Sequence, residues 1–231
     1  MKKWLLMAVT AIFLVQSVLT ACNFFRQTPR INQKEVQQTI DGQSLEIPNS
    51  ARWLRMTVAY YRWQMKELRE ARREDLISAL GQDVYEELGE AYREGGNKAL
   101  MDKIPELFTR NEDPYAVRYH SVYDVFRYRS GRCGEESHFA IGILYLFGVQ
   151  QLEIIHSTAD HVWLEVGRNH YDPGMVGKDR YNKDAYREWA APFGFILAID
   201  INGNVRDVTA EYIKITPEVT EKRKQILNGK E

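Results

Sequence analysis

The chain has 231 residues, and its 31 Lys and Arg stand against 32 Asp and Glu, for a net charge of −1 at pH 7. That balance gives no electrostatic reason to expect nucleic acid as a partner. The length suits one good core rather than two, and thirteen Tyr, nine Phe and five Trp suit a globular body.

The first 22 residues, MKKWLLMAVTAIFLVQSVLTAC, run from Lys2 and Lys3 through an uncharged apolar stretch to small residues. This is the order of a secretory signal. Leu19-Thr20-Ala21-Cys22 resembles a bacterial lipobox. The resemblance implies a signal peptide over 1–21 and a lipid, such as palmitate, on Cys22 at the new N-terminus. It also implies an address in the cell envelope. With Asn23 next in line, that address is the periplasmic face of the outer membrane. The rival reading is a membrane-spanning anchor, since residues 4–25 could just cross a bilayer, for which a helix needs ~20 apolar residues. Gln16, Ser17, Thr20 and Asn23 weaken that reading.

Residues 22–49, rich in Gln and Asn, read as a tether with a short extended piece near Leu45-Glu46-Ile47. Asn49 or Ser50 is placed to cap the next helix. There Trp53, Leu54, Met56, Val58, Tyr60, Tyr61, Met65 and Leu68 fit one partly buried face over 51–73. Shorter helices are predicted at 75–80, 82–93 and 97–109, divided by Gly81 and Gly95-Gly96. A loop follows at 110–115, then a short helix ending at Gly131. Ala140, Ile143, Leu144 and Phe147 lie at i, i+3, i+4 and i+7, so the next helix begins near Cys133 and stops at Gly148.

Past this point the period changes. Residues 151–156, 161–167 and 169–173 read as strands; Val162, Leu164 and Val166 share one face, and His161, Trp163 and Glu165 the other. A helix at 183–190, a hairpin over 194–213 turning at Asn202-Gly203 and a surface helix at 217–228 complete the chain. Helices first and antiparallel strands later indicate an α+β fold. A single domain covers 50–231: a helical section at 50–110, a core at 111–216 and the terminal helix from 217.

With Cys22 consumed by lipid, Cys133 is the one thiol left, and an odd cysteine in an exported protein marks a reactive thiol. A helix start favours the thiolate, and Gly131 and Gly134 leave room for a substrate beside the backbone. The Cys133 N–H is one donor for an oxyanion. The bland alternative is a small buried side chain, which the polar neighbours Arg132, Glu135 and Glu136 oppose. A thiolate nucleophile needs a base and the base an orienting group. His161 opens an apolar strand, and Asp172 lies across a hairpin from it. Asp160 is a fallback for the carboxylate, and Tyr128 or Arg132 are candidates for a second oxyanion donor. Glu135 is a candidate for substrate contact or for helix capping, and Trp163 for the cleft wall or the core. No spacing matches a metal motif, and no cofactor is expected.

SGRCGEESHFAIGILYLFGV, then ADHVWLEV, then HYDP resembles the transglutaminase-like superfamily of the papain-like cysteine fold over residues 122–173. The motifs are nearest the peptide N-glycanase branch. They depart from it in lacking paired zinc-binding cysteines and in having Ser137 where that branch tends to have an aromatic residue. The resemblance implies a nucleophile at the start of a central helix packed on an antiparallel sheet. It assigns Cys133, His161 and Asp172 as a catalytic triad; Gly134, Glu135 and Trp163 stay candidates for substrate contact from their positions alone. The expected function is a membrane-tethered cysteine hydrolase, protease or acyltransferase acting on amide bonds of peptides, proteins or peptidoglycan. The alternative is a non-catalytic scaffold of the same fold that binds a peptide or envelope partner.

Overall fold

A computed structural model describes residues 37–40, 43–111, 121–175, 177–184 and 194–230. The segment expected to be a signal peptide, the expected lipidation site Cys22 and most of the helix predicted at 183–190 lie outside them. Within the stretch read as a tether, strands β1 (Gln37–Ile40) and β2 (Gln43–Glu46) pair antiparallel. Ile47 and Ala51 are already core residues.

The helical section is α1 (Arg52–Glu70), α2 (Arg73–Leu80) and α3 (Gln82–Lys103). The cap of α1 differs from expectation. Ala51 holds the N-cap without a side-chain bond, Asn49 accepts from Arg55, and Ser50 donates to the Leu227 carbonyl. Gly95-Gly96 does not end a helix either. The chain passes through Gly96 at φ 63°, ψ −149°, and resumes as the second limb of a kinked α3. A left-handed φ costs glycine little, so the turn is made without losing the helix beyond it. A 3₁₀ turn (Ile104–Leu107) then leads into β3 (Thr109–Arg110).

Ser121 caps α4 (Val122–Tyr128), and its hydroxyl accepts from the Asp124 N–H. The helix stops at Tyr128, earlier than the expected Gly131, because Arg129 turns left-handed and the chain becomes β4 (Ser130–Gly131). Strand β4 runs parallel to β3. Thr109 N–H donates to the Arg129 carbonyl at 2.8 Å and Asn111 N–H to the Gly131 carbonyl at 2.7 Å. This short ladder holds the residues that lead into α5 (Cys133–Leu146).

From Glu135 to Leu144 every side chain of α5 is buried, well beyond the single stripe expected. A helix buried on all sides lies inside a molecule, and α5 is the axis of this one. Phe139, Ile141, Ile143 and Leu144 are fully buried, each worth roughly 1.5–3 kcal/mol relative to exposure.

Strands β5 (Leu152–Ser157), β6 (His161–Val166), β7 (Asn169–Tyr171), β8 (Ile196–Asp200) and β9 (Val205–Asp207) form an antiparallel sheet in the order β7-β6-β5-β8-β9. Leu152, Ile154, Val162, Leu164 and Leu197 share one core with α5 and the helical section. On the reverse face Ile155, Trp163 and Ala198 pack with Tyr212 of α6 (Thr209–Tyr212) and Val219 of α7 (Pro217–Leu227). The fold is α+β, with a central helix between an antiparallel sheet and a helical cover. Among the described residues no helix is long and apolar enough to cross a membrane.

Candidate functional site

Cys133 is the first residue of α5, where the leading N–H groups have no acceptors within the helix. The turn before it is built for close approach. Gly131 sits at φ 155°, and a Cβ there would lie 2.5 Å from the Glu135 Cβ. The Glu135 carboxylate folds back to accept the Arg132 N–H at 3.0 Å. Glu135 is thus occupied as a cap and buried, the second of the two roles its position allowed. Gly134 beside the thiol faces the Tyr61 hydroxyl, 3.6 Å from where its Cβ would stand. Cys133 is partly exposed, and its Sγ lies 3.9 Å from the Asp160 carbonyl oxygen.

The strand and the helix are pinned at the level of the thiol. Ser137, fully buried one turn into α5, donates its hydroxyl to the Val162 carbonyl at 3.1 Å. A small hydroxyl here fastens α5 to the residue next to His161, which a large ring could not do.

His161 opens β6, and Asp172 follows the end of β7, brought near by the register Leu164↔Tyr171. The His161 Nε2 lies 2.7 Å from the Asp172 Oδ2. Asp172 is 1% exposed, and its Oδ1 accepts the Gly174 N–H at 2.9 Å. A carboxylate only accepts, so Nε2 carries the proton and Nδ1 is the nitrogen for the Cys133 thiol, the ring's second hydrogen-bonding neighbour. Burial alone would lower the His161 pKa. The hydrogen bonds to Asp172 and Cys133, with their charges, outweigh it and push it up to about 9. The structure therefore brings Cys133, His161 and Asp172 together at one site, with His161 in contact with both. Asp160 does not orient the ring; its exposed carboxylate meets the Arg132 guanidinium at 3.4 Å at the rim.

Trp163 is not a wall of the cleft. It is fully buried on the reverse face of the sheet, stacked on His161 with centroids 5.5 Å apart, and its Nε1 donates to the Tyr212 hydroxyl at 3.0 Å. Tyr212 in turn donates to the Glu165 carboxylate, which also meets Lys183 at 2.9 Å. The expected substrate contact is a support for the imidazole. Side chains alternate along a strand, so Trp163 lies on the face of β6 that also carries His161, two residues along.

Two further residues belong to the site, and nothing in the sequence singles them out. Glu136 is buried 4.0 Å from the Arg110 guanidinium, which also donates to the Gly174 carbonyl at 3.3 Å. Burial raises its pKa to about 7, with Arg110 opposing and Asp172 adding to the rise. Tyr61 of α1 is 5% exposed, with its ring against Tyr60 and His156. Of the earlier candidates for a second donor, Tyr128 is 55% exposed and Arg132 is engaged with Asp160. Among the described residues no cluster of His, Cys, Asp and Glu could hold a metal ion.

Compared with models of protein families, the chain matches none. Compared with curated proteins, it has no match.

Proposed function

We propose that this protein is a cysteine acyl-transfer enzyme that opens amide bonds, with Cys133 as nucleophile, His161 as base and acid, and Asp172 as the group that orients the imidazole. The 2.7 Å contact between His161 Nε2 and Asp172, with the thiol as the ring's other neighbour, carries the reading. The Cys133 sulfur would attack the carbonyl carbon as a thiolate, its proton already held at His161 Nδ1 by the raised pKa of the ring. The π pair would move to oxygen, and its return would break the carbon–nitrogen bond as the His161 proton goes to the leaving amine. The resulting thioester would be released by water or by an amine. A buried Asp172 beside Nε2 favours the charged ring this requires.

The central helix, the sheet and the order Cys-His-Asp also support placement in the transglutaminase-like group. The lipobox-like Leu19-Thr20-Ala21-Cys22 supports tethering to the cell envelope, where peptide and peptidoglycan amides are the available substrates.

Alkylation by iodoacetamide tests the nucleophile. In the full chain held in detergent, the rate at Cys133, followed by peptide mass, should fall at least about tenfold in His161→Ala at pH 7, since a thiolate reacts and a thiol does not. A rate typical of an unactivated thiol and indifferent to His161 would sink the enzyme reading and favour the non-catalytic scaffold.

A further inference from the structure

A tetrahedral intermediate at Cys133 needs hydrogen-bond donors aimed at its oxygen, and one backbone N–H at the start of α5 is half of such a site. We propose that the Tyr61 hydroxyl is the second donor, reaching across from α1 to the carbonyl oxygen of the bound amide. The inference rests on the acyl-transfer reading of the same site. Three observations place the group. The Tyr61 Oη stands 3.6 Å from the Cβ position of Gly134, on the residue that follows the nucleophile. Cys133, the buried cap Glu135 and Asp160 are near enough for their charges to act on it, after its neighbour Tyr60. Its ring is gripped between Tyr60, centroids 5.2 Å apart, and His156, 5.4 Å apart, so the hydroxyl points from a fixed base.

Its chemistry fits the task. Burial first, then Tyr60 and Cys133, raises the phenol pKa well above its ordinary 10. The group stays protonated wherever the thiolate works and can only donate to a developing oxyanion. No acceptor on the protein takes the Tyr61 hydroxyl among the described residues, and it is not among the sealed, unpartnered polar atoms. A fixed phenol beside the nucleophile, kept neutral and uncommitted, costs no reorganisation when the oxyanion forms.

The test separates addition to a carbonyl from displacement at a saturated carbon. Acetyl-glycinal, a small peptide-like aldehyde, adds reversibly to a thiolate. The sulfur–carbon bond forms, the carbonyl π pair moves to oxygen, and the thiol proton stays on His161. Iodoacetamide alkylates the same sulfur with loss of iodide and builds no oxyanion. In the full chain, Tyr61→Phe should weaken the aldehyde adduct about 10- to 100-fold and leave alkylation of Cys133 within twofold. The quantity read is the aldehyde affinity divided by the alkylation rate, so a general disturbance lowers both and leaves the ratio unchanged. An unchanged ratio, with alkylation still dependent on His161, overturns the role of Tyr61 alone. An aldehyde that binds wild type no better than a free thiol does, or alkylation indifferent to His161, overturns the acyl-transfer reading and Tyr61 with it.

Discussion

At the scale of single residues, the site works by opposing burial with partners. His161 shows this in one group, since burial would leave the ring neutral and the contacts with Asp172 and Cys133 hold its proton to about pH 9. Removing the sulfur takes away one of those contacts. In Cys133→Ala the His161 pKa should fall from about 9, read from the ring resonances by NMR over pH 5 to 10; an unmoved value would mean the thiol does not touch the imidazole. Ser137, Glu135 and Trp163 carry the matching lesson about legibility. Cys133, His161 and Asp172 could be singled out because a nucleophile, a base and an orienting carboxylate are recognisable residue types in a readable order. The duties of Glu135 and Trp163 depended on whether each side chain points into the cleft or behind it, which no neighbouring residue reveals. Tyr61 was lost among the apolar residues of α1, because a phenol on a buried face reads as core until the opposite wall is known.

At the scale of elements, α5 is the part everything else is packed around, and its tightest contact is with α4. A Cβ on Gly142 would stand 2.5 Å from the Phe126 ring, with Leu68 next at 3.7 Å. Exchanging a mid-helix glycine for alanine gains about 1 kcal/mol of helix propensity, whereas overpacking a core costs about 1–3 kcal/mol. Phe126 is fully buried, so packing wins. Gly142→Ala should lower stability by up to about 2 kcal/mol in urea unfolding, with an unchanged m-value; a gain in stability would show that α4 can shift. The helix itself was visible from the i, i+3, i+4, i+7 pattern after Cys133, and β6 from its strict alternation. The continuation of α3 through Gly95-Gly96 was not, because two glycines mark both a stop and a kink and the packing beyond them decides which. The β3–β4 ladder was equally hidden, as two residues are too few to show a period.

For the whole molecule, buried histidines set the response to pH. His138 and His156 are held neutral by burial, down to about 4 and about 3, and His156 is lowered further by His161. His170 is likewise lowered to about 4, chiefly by burial. The unfolded chain takes up these three protons below about 6.5, so acid favours unfolding across that window. Glu136 acts in the opposite sense, as its raised pKa keeps a proton on the folded state between about 4.5 and 7. One proton against three does not reverse the slope, each being worth about 1.4 kcal/mol per pH unit. Above 6.5 the raised His161 loses its contribution as pH climbs through 9. Thermal melts from pH 4 to 9 should therefore peak near pH 6.5 and fall on both sides; a profile flat from 4.5 to 6.5 would contradict the buried neutral histidines. The ladder between β3 and β4 has a consequence of another kind. Its two main-chain bonds close the chain at Asn111 and Arg129 before α5 begins. Main-chain donors and acceptors are the same for every residue type but proline, so the exposed Thr109 can change its side chain over evolutionary time while the approach to the sulfur stays fixed.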